Sequence, residues 1–177
     1  MSDRKPKYHL KIIVCGTGAV GKTSLIRRYV ENKFNHHYLM TVGLEPSSRL
    51  IEIDDIPVNL VLFDVAGQKR FETMRDIFFR GAHGGLLVFD LTRAEDTLNE
   101  LGEWKEQIDQ RCPEGIPLVL IGNKSDVATF DRDIIEDEVI PRMETIKYLE
   151  TSALLDENVS KAFEELAREI LKRQGII

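Results

Sequence analysis

Gly16-Thr17-Gly18-Ala19-Val20-Gly21-Lys22-Thr23 carries the spacing G-x-x-x-x-G-K-[ST]. Glycines at these positions let successive backbone N–H groups point inward as an anion nest, and a helix starting near Gly21 adds the positive end of its dipole. The contacts expected with a phosphate chain come from Gly16, Gly18, Ala19, Val20, Gly21, Lys22, Thr23 and Ser24. Lys22 reaches the β- and γ-phosphates and the Thr23 hydroxyl ligates Mg²⁺. The setting supports this chemistry over a bare glycine-rich turn: the apolar run Leu10 to Cys15 precedes the motif, and a helical pattern from Ser24 follows it. The motif alone does not choose between ATP and GTP, or between a kinase and a switch.

Two further stretches narrow the chemistry. Asp64-Val65-Ala66-Gly67-Gln68 leaves an apolar run at Val58–Phe63. An acid at a strand end facing Thr23 can hold Mg²⁺ directly or through water, Gly67 lets a backbone N–H approach a terminal phosphate, and Gln68 can orient an attacking water. Asn123-Lys124-Ser125-Asp126 leaves the apolar run Leu118–Ile121 through Gly122. A carboxylate at Asp126 accepts from both the ring N–H and the exocyclic amine of guanine. Adenine offers an acceptor at the first position and nothing at the second, so the carboxylate would be left unpaired. With charge-assisted hydrogen bonds contributing about 1.5–3 kcal/mol each, this geometry selects guanine.

These stretches need a scaffold that brings them together. Strand-like runs occur at Leu10–Cys15, Leu50–Ile53, Val58–Phe63, Leu86–Asp90, Leu118–Ile121 and Ile146–Leu149. Helical periodicity fills most of the gaps, as with Leu98, Leu101, Trp104 and Ile108. Alternation of strand and helix implies parallel pairing with right-handed crossovers, and a sheet covered on both faces. The exception is Leu50–Ile53 with Val58–Phe63: the intervening Asp54-Asp55-Ile56-Pro57 is too short for a crossover, so these strands form an antiparallel hairpin. The expected fold is α/β, a mostly parallel six-stranded sheet with one antiparallel strand and helices on both faces. A closing amphipathic helix carries Val159, Phe163, Leu166 and Ile170, with Asn158 as its N-cap. Pro141 either sits in the first turn of a helix between Asp131 and Glu144 or breaks it. In such a sheet, ligands sit beyond the carboxyl ends of the strands, where the polar stretches fall.

Composition sets the outer bounds. The 177 residues suit a single domain spanning 1–177, and 42% hydrophobic content supplies a sizeable core. A net charge of −6 argues against a general nucleic-acid binder. Two cysteines, Cys15 and Cys112, give neither a disulfide framework nor metal-ligand spacing, so a reducing, cytoplasmic setting is expected. His9, His36, His37 and His83 have no Cys or His partner at zinc-like spacing. The apolar runs fall far short of the roughly 18 residues that span a bilayer.

In this order, the motifs from Gly16 to Ala153 resemble those of a Ras-superfamily small GTPase, with a P-loop NTPase fold. The resemblance implies that Tyr38-Leu39-Met40-Thr41-Val42-Gly43 is switch I, with Thr41 engaging Mg²⁺ and the γ-phosphate and Tyr38 beside the nucleotide. Mg²⁺ is then held by Thr23, Thr41 and Asp64. Phe34 resembles the aromatic packed against guanine. Thr151-Ser152-Ala153 resembles the loop whose Ala153 N–H meets the guanine oxygen, Leu154 stands in place of a family Lys, and the Lys124 stem lies along the base. Thr41-Val42-Gly43-Leu44-Glu45, Phe78-Phe79-Arg80-Gly81-Ala82 and Leu87-Val88-Phe89-Asp90-Leu91-Thr92 resemble the Rab branch most. Phe63, Val65 and Pro46 depart from the usual Rab residues, and Gly175-Ile176-Ile177 offers no prenylatable cysteine, so no membrane anchor is expected in this stretch.

The implied function is a GTP/GDP switch, expected to be monomeric, with slow hydrolysis carried by Gln68, Lys22 and Thr41. The motifs place no arginine in the site, so acceleration is expected from an activating protein. An exchange factor and effectors would use the Thr41 and Arg70–Phe79 segments, with Phe71, Met74 and Ile77 as apolar anchors. A guanine-nucleotide scaffold without turnover and a P-loop ATP kinase stand as rivals.

Overall fold

The computed structural model describes residues 5–34, 46–67, 72–128 and 140–177, at 72–74, 140 and 142 for the backbone only. Strands β1 (Tyr8–Cys15), β2 (Ser47–Ile53), β3 (Ile56–Asp64), β4 (Gly84–Asp90), β5 (Leu118–Asn123) and β6 (Lys147–Thr151) form one six-stranded sheet in the order β2-β3-β1-β4-β5-β6. Every neighbouring pair is parallel except β2 with β3. This is the expected α/β architecture.

Alternation along each strand divides the core into two layers. Leu10, Ile12, Val14, Leu86, Val88, Val119 and Ile121 join one buried cluster, while Ile13, Cys15, Leu87, Phe89, Leu118 and Leu120 join the other. Strands apolar at every position are buried on both faces, which is why these central runs read as continuous rather than alternating. The first layer is closed by α1 (Lys22–Glu31) and the C-terminal helix (Val159–Arg173), through Leu25, Ile26, Tyr29, Phe163 and Leu166. Tyr29 and Phe163 stack with ring centroids 4.2 Å apart. The second layer is closed by α2 (Glu72–Phe79), α3 (Ala94–Asn99) and α4 (Leu101–Arg111), through Phe78, Phe79, Leu98, Leu101, Trp104 and Ile108.

Four local features differ from or sharpen the sequence reading. The hairpin loop shrinks to Asp54-Asp55, because Ile53 already pairs with Ile56; both aspartates take positive φ, 48° and 64°, as a tight two-residue turn requires. The periodicity through Leu98 and Ile108 is broken at Glu100. Asp90 first caps a 3-10 turn at Leu91–Arg93, and the Thr97 hydroxyl bonds back to the Arg93 carbonyl at 2.8 Å, a bond that bends helices. Pro141 sits in the first turn of the short α5 (Ile140–Met143), and residues 129–139 lie outside the described residues. Asn158 occupies the N-cap position of the last helix, α6, but does not cap it with its side chain. Its backbone is left-handed (φ 54°, ψ 9°), and its amide donates instead to the Glu150 carbonyl at 2.9 Å.

Candidate nucleotide site

Parallel register aligns the strand ends that carry polar residues. Val14 pairs with Asp64, Asp90 with Asn123 and Asn123 with Thr151, so the carboxyl ends of β3, β4, β5 and β6 lie along one edge beside the loop that follows β1. The Gly16–Thr23 loop therefore meets residues distant in sequence.

The loop is shaped by close approach. Gly21 has φ +100°, and a Cβ there would stand 2.2 Å from the Asn123 amide nitrogen. A side chain is excluded at Gly21 by both backbone conformation and space. Lys22 is buried and donates to the Gly16 and Thr17 carbonyls, each at 2.8 Å. Burial lowers its ammonium pKa, an effect opposed by Asp64. Ala19 is exposed at the tip, and nothing lies within 4 Å of a Cβ placed on Gly18, so the crest of the loop is open. Val20 is fully buried beneath it, and Thr23 and Ser24 are half-buried in the first turn of α1.

Facing this loop, the Thr23 hydroxyl donates to the Asp64 carboxylate. A hydroxyl beside a carboxylate is an oxygen donor pair suited to a hard cation such as Mg²⁺ rather than to a soft metal. Gly67 packs on the loop backbone: a Cβ there would lie 2.6 Å from the Gly18 nitrogen and 2.7 Å from the Gly16 oxygen. Only a residue without a side chain lets this peptide come so near.

At the other end, Asn123 joins the two loops. Its amide donates to the Val20 carbonyl at 2.9 Å, and its carbonyl oxygen accepts from the Thr151 hydroxyl at 3.1 Å. Lys124 crosses above it, donating to the Ala19 carbonyl at 3.0 Å and to Asp90 at 2.6 Å. Ser152 donates to one oxygen of Asp126 at 2.6 Å and takes the Leu155 N–H at 3.0 Å, which orients the carboxylate. Ala153 is buried next to it and Leu154 is exposed. Phe34 is half-buried after α1, against the same core layer as Tyr29.

The structure thus brings together Gly16 through Ser24, Asp64, Gly67, Asn123, Lys124, Asp126, Ser152 and Ala153. Tyr38, Thr41, Gln68 and Phe71 lie outside the described residues, as does the Met74 side chain; Ile77 is 71% exposed.

Four residues at this site were not singled out from sequence. Asp90 is fully buried and holds Lys124, the Thr92 N–H and the Thr92 hydroxyl. Glu100 accepts from the Thr17 hydroxyl across the break between α3 and α4. Arg28 donates to the loop after Ser152. Arg75, which no motif placed here, reaches the edge of the site: it donates to the Gly67 carbonyl at 3.3 Å and to Gln107 at 3.1 Å, with its guanidinium 3.9 Å from the Trp104 ring centroid. The sequence marks one of them, Asp90, as an acid ending a fully apolar strand; Arg28 and Arg75 lie on helices and Glu100 between two, where charge is ordinary.

Comparison with known proteins agrees with this arrangement. The profile of the Ras family matches residues 11–172. The chain is 35% identical over 171 residues to the GTP-binding protein ypt1 of Schizosaccharomyces pombe, covering 95% of this chain and 83% of that protein. It is 36% identical to the Ras-related protein RABA5b of Arabidopsis thaliana, over 95% of this chain and 77% of the relative. It is also 36% identical to the Ras-related protein Rab-13 of Mesocricetus auratus, over 93% and 81%. With the Gly16–Thr23 loop tied to the Asn-Lys-x-Asp loop and a family match across nearly its whole length, the chain belongs to the Ras family, as a Rab-like small GTPase.

Proposed function

We propose that the chain works as one unit over 1–177 and cycles between GTP- and GDP-bound states, hydrolysing GTP slowly. The observation that carries this reading is the direct tie between the two loops, Asn123 to Val20 at 2.9 Å and Lys124 to Ala19 at 3.0 Å. A ligand gripped by one loop through phosphate is within reach of the other through its base.

In this reading, Asp126 takes the two donors of guanine and Ala153 offers its N–H to the guanine oxygen. Lys124 and Phe34 flank the ring. Lys22 leaves the Gly16 and Thr17 carbonyls to meet the β- and γ-phosphates, exchanging neutral acceptors for charged ones. Gln68 orients the attacking water, and the amides of Gly18 to Lys22 stabilise charge on the bridging oxygen. Thr23, Asp64 and Thr41 would hold Mg²⁺, which would supply neutralisation of phosphate charge. Thr41 and Gly67 contact the γ-phosphate only while it exists, so its loss releases their segments. Ile77, exposed on α2, is then part of the surface read by effectors, an exchange factor and an activating protein, in Rab-like control of membrane traffic by a monomer. No helix among the described residues is long and apolar enough to cross a membrane.

The test is to denature purified protein, identify the released nucleotide, and follow GTP in a single turnover. Guanine nucleotide with GTP consumed over hours is expected. GTP that persists points to a scaffold, and adenine nucleotide overturns the reading. Gln68→Leu should slow turnover while leaving GDP affinity nearly intact; an unchanged rate rejects the role of Gln68.

A further inference from the structure

Arg28 projects from the last turn of α1 toward a loop 125 residues later in the chain. Its Nε donates to the Ala153 carbonyl at 2.8 Å and one terminal nitrogen to the Leu154 carbonyl at 3.0 Å. The other terminal nitrogen lies 3.4 Å from the Asn32 carbonyl, at the left-handed residue that ends α1. The guanidinium carbon stands 6.0 Å from the centroid of Phe34. One planar cation therefore touches the base-reading loop, the end of α1 and the aromatic that follows it. A guanidinium suits this task because its donors form a rigid fork, whereas an ammonium is a point charge on a flexible stem.

The other constraints on that loop come from a different side. Ser152 exchanges backbone hydrogen bonds with Glu157 at 3.2 and 3.1 Å, and its hydroxyl faces Asp126. The peptides after Ala153 are held from the side of α1 by Arg28. We propose that Arg28 is a positioning residue for base recognition: it clamps the Ala153 and Leu154 carbonyls so that the Ala153 N–H stays aimed at the guanine oxygen, and it braces Phe34 against the ring. This inference rests on the guanine-binding reading above. It links α1, whose other end grips phosphate, to the loop that reads the base, so loosening either end of α1 is felt at both ends of the nucleotide.

Release of a fluorescent GDP and affinity for GDP against 6-thioguanosine diphosphate test this on the full chain with Mg²⁺. The thio analogue keeps both donors to Asp126 and weakens only the acceptor that faces Ala153. Arg28→Ala is expected to speed GDP release by about tenfold or more and to shrink the preference for GDP over the thio analogue. Arg28→Lys, which keeps the charge but loses the fork, should restore stability to thermal unfolding while recovering only part of the slow release. Release within about twofold of the parent in Arg28→Ala overturns the proposal. So does faster release with the preference intact, which marks a loosened helix end rather than a misaimed N–H, and so does full recovery in Arg28→Lys. A parent protein that binds GDP no better than ADP removes the guanine reading itself, and with it this role for Arg28.

Discussion

Asp90 shows how a single carboxylate can serve two loops. Burial pushes its pKa up, but hydrogen bonds from Lys124 and Thr92 outweigh that effect and leave it below the ordinary carboxylate range. Because the folded value lies below the unfolded one of about 3.9, the stability it contributes is fully present above that pH and is lost as pH falls through the lower folded value. Asp90→Asn keeps the shape but weakens the bond to Lys124. It is expected to cost about 1–3 kcal/mol in urea unfolding at pH 7 and to speed GDP release, since Lys124 also steadies the Ala19 carbonyl. Unchanged unfolding and release would show that Lys124 needs no anionic partner.

Among the elements, α6 and the start of β4 carry the clearest expectations. Phe163 is fully buried against Tyr29, at the centre of the layer that α6 closes. Phe163→Ala should cost about 3–5 kcal/mol in chemical denaturation, as lost burial plus a cavity. His83 precedes β4 and accepts the Lys11 N–H on its Nδ1 at 2.9 Å, so the neutral ring is the bonded form. Burial, and secondarily the Lys11 charge, lower its pKa. The unfolded chain therefore takes up this proton first, and the contribution of His83 is full above about pH 6.5 and declines as pH falls below it. His83→Ala should flatten the fall in stability between pH 7 and pH 5 when unfolding midpoints are compared; a parallel curve would assign that slope to other groups. Lys11 itself, on β1, reaches over to the Ile77 and Arg80 carbonyls at 3.2 and 2.7 Å, so β1 also anchors the end of α2.

For the whole molecule, the candidate nucleotide site draws on both ends of the chain, with loops after β1, β3, β5 and β6 along one edge of the sheet. A ligand that bridges them binds the folded form alone and stabilises it by mass action, about 2.7 kcal/mol at a hundredfold excess over Kd. GDP with Mg²⁺ should therefore raise the thermal midpoint by several degrees where ADP with Mg²⁺ leaves it unchanged. Equal shifts by the two nucleotides would contradict purine selection by Asp126.

The succession of six strands along the chain, their mostly parallel pairing, the hairpin and the three polar loops are legible in the sequence, because each rests on local chemistry; the order of the strands across the sheet is not. Continuous apolar runs mark buried strands, the four residues Asp54-Asp55-Ile56-Pro57 are too few for a crossover, and Gly-Lys-Thr or Asn-Lys-x-Asp needs no distant partner to be recognised. Contacts across 34 to 125 residues have no partner that local sequence could name. Asp90 with Lys124, Thr17 with Glu100, and Arg28 with Ala153 exist only because parallel register and the closing of α1 and α6 over the sheet bring those atoms together. At the break at Glu100 and at the turned side chain of Asn158 the competing bonds are nearer in sequence, Thr97 to Arg93 and Asn158 to Glu150, and they overrode the helical preference. Residue types announced which chemistry to expect; packing decided which side chains hold it in place, since a surface charge and a clamp look alike until the fold supplies the partner.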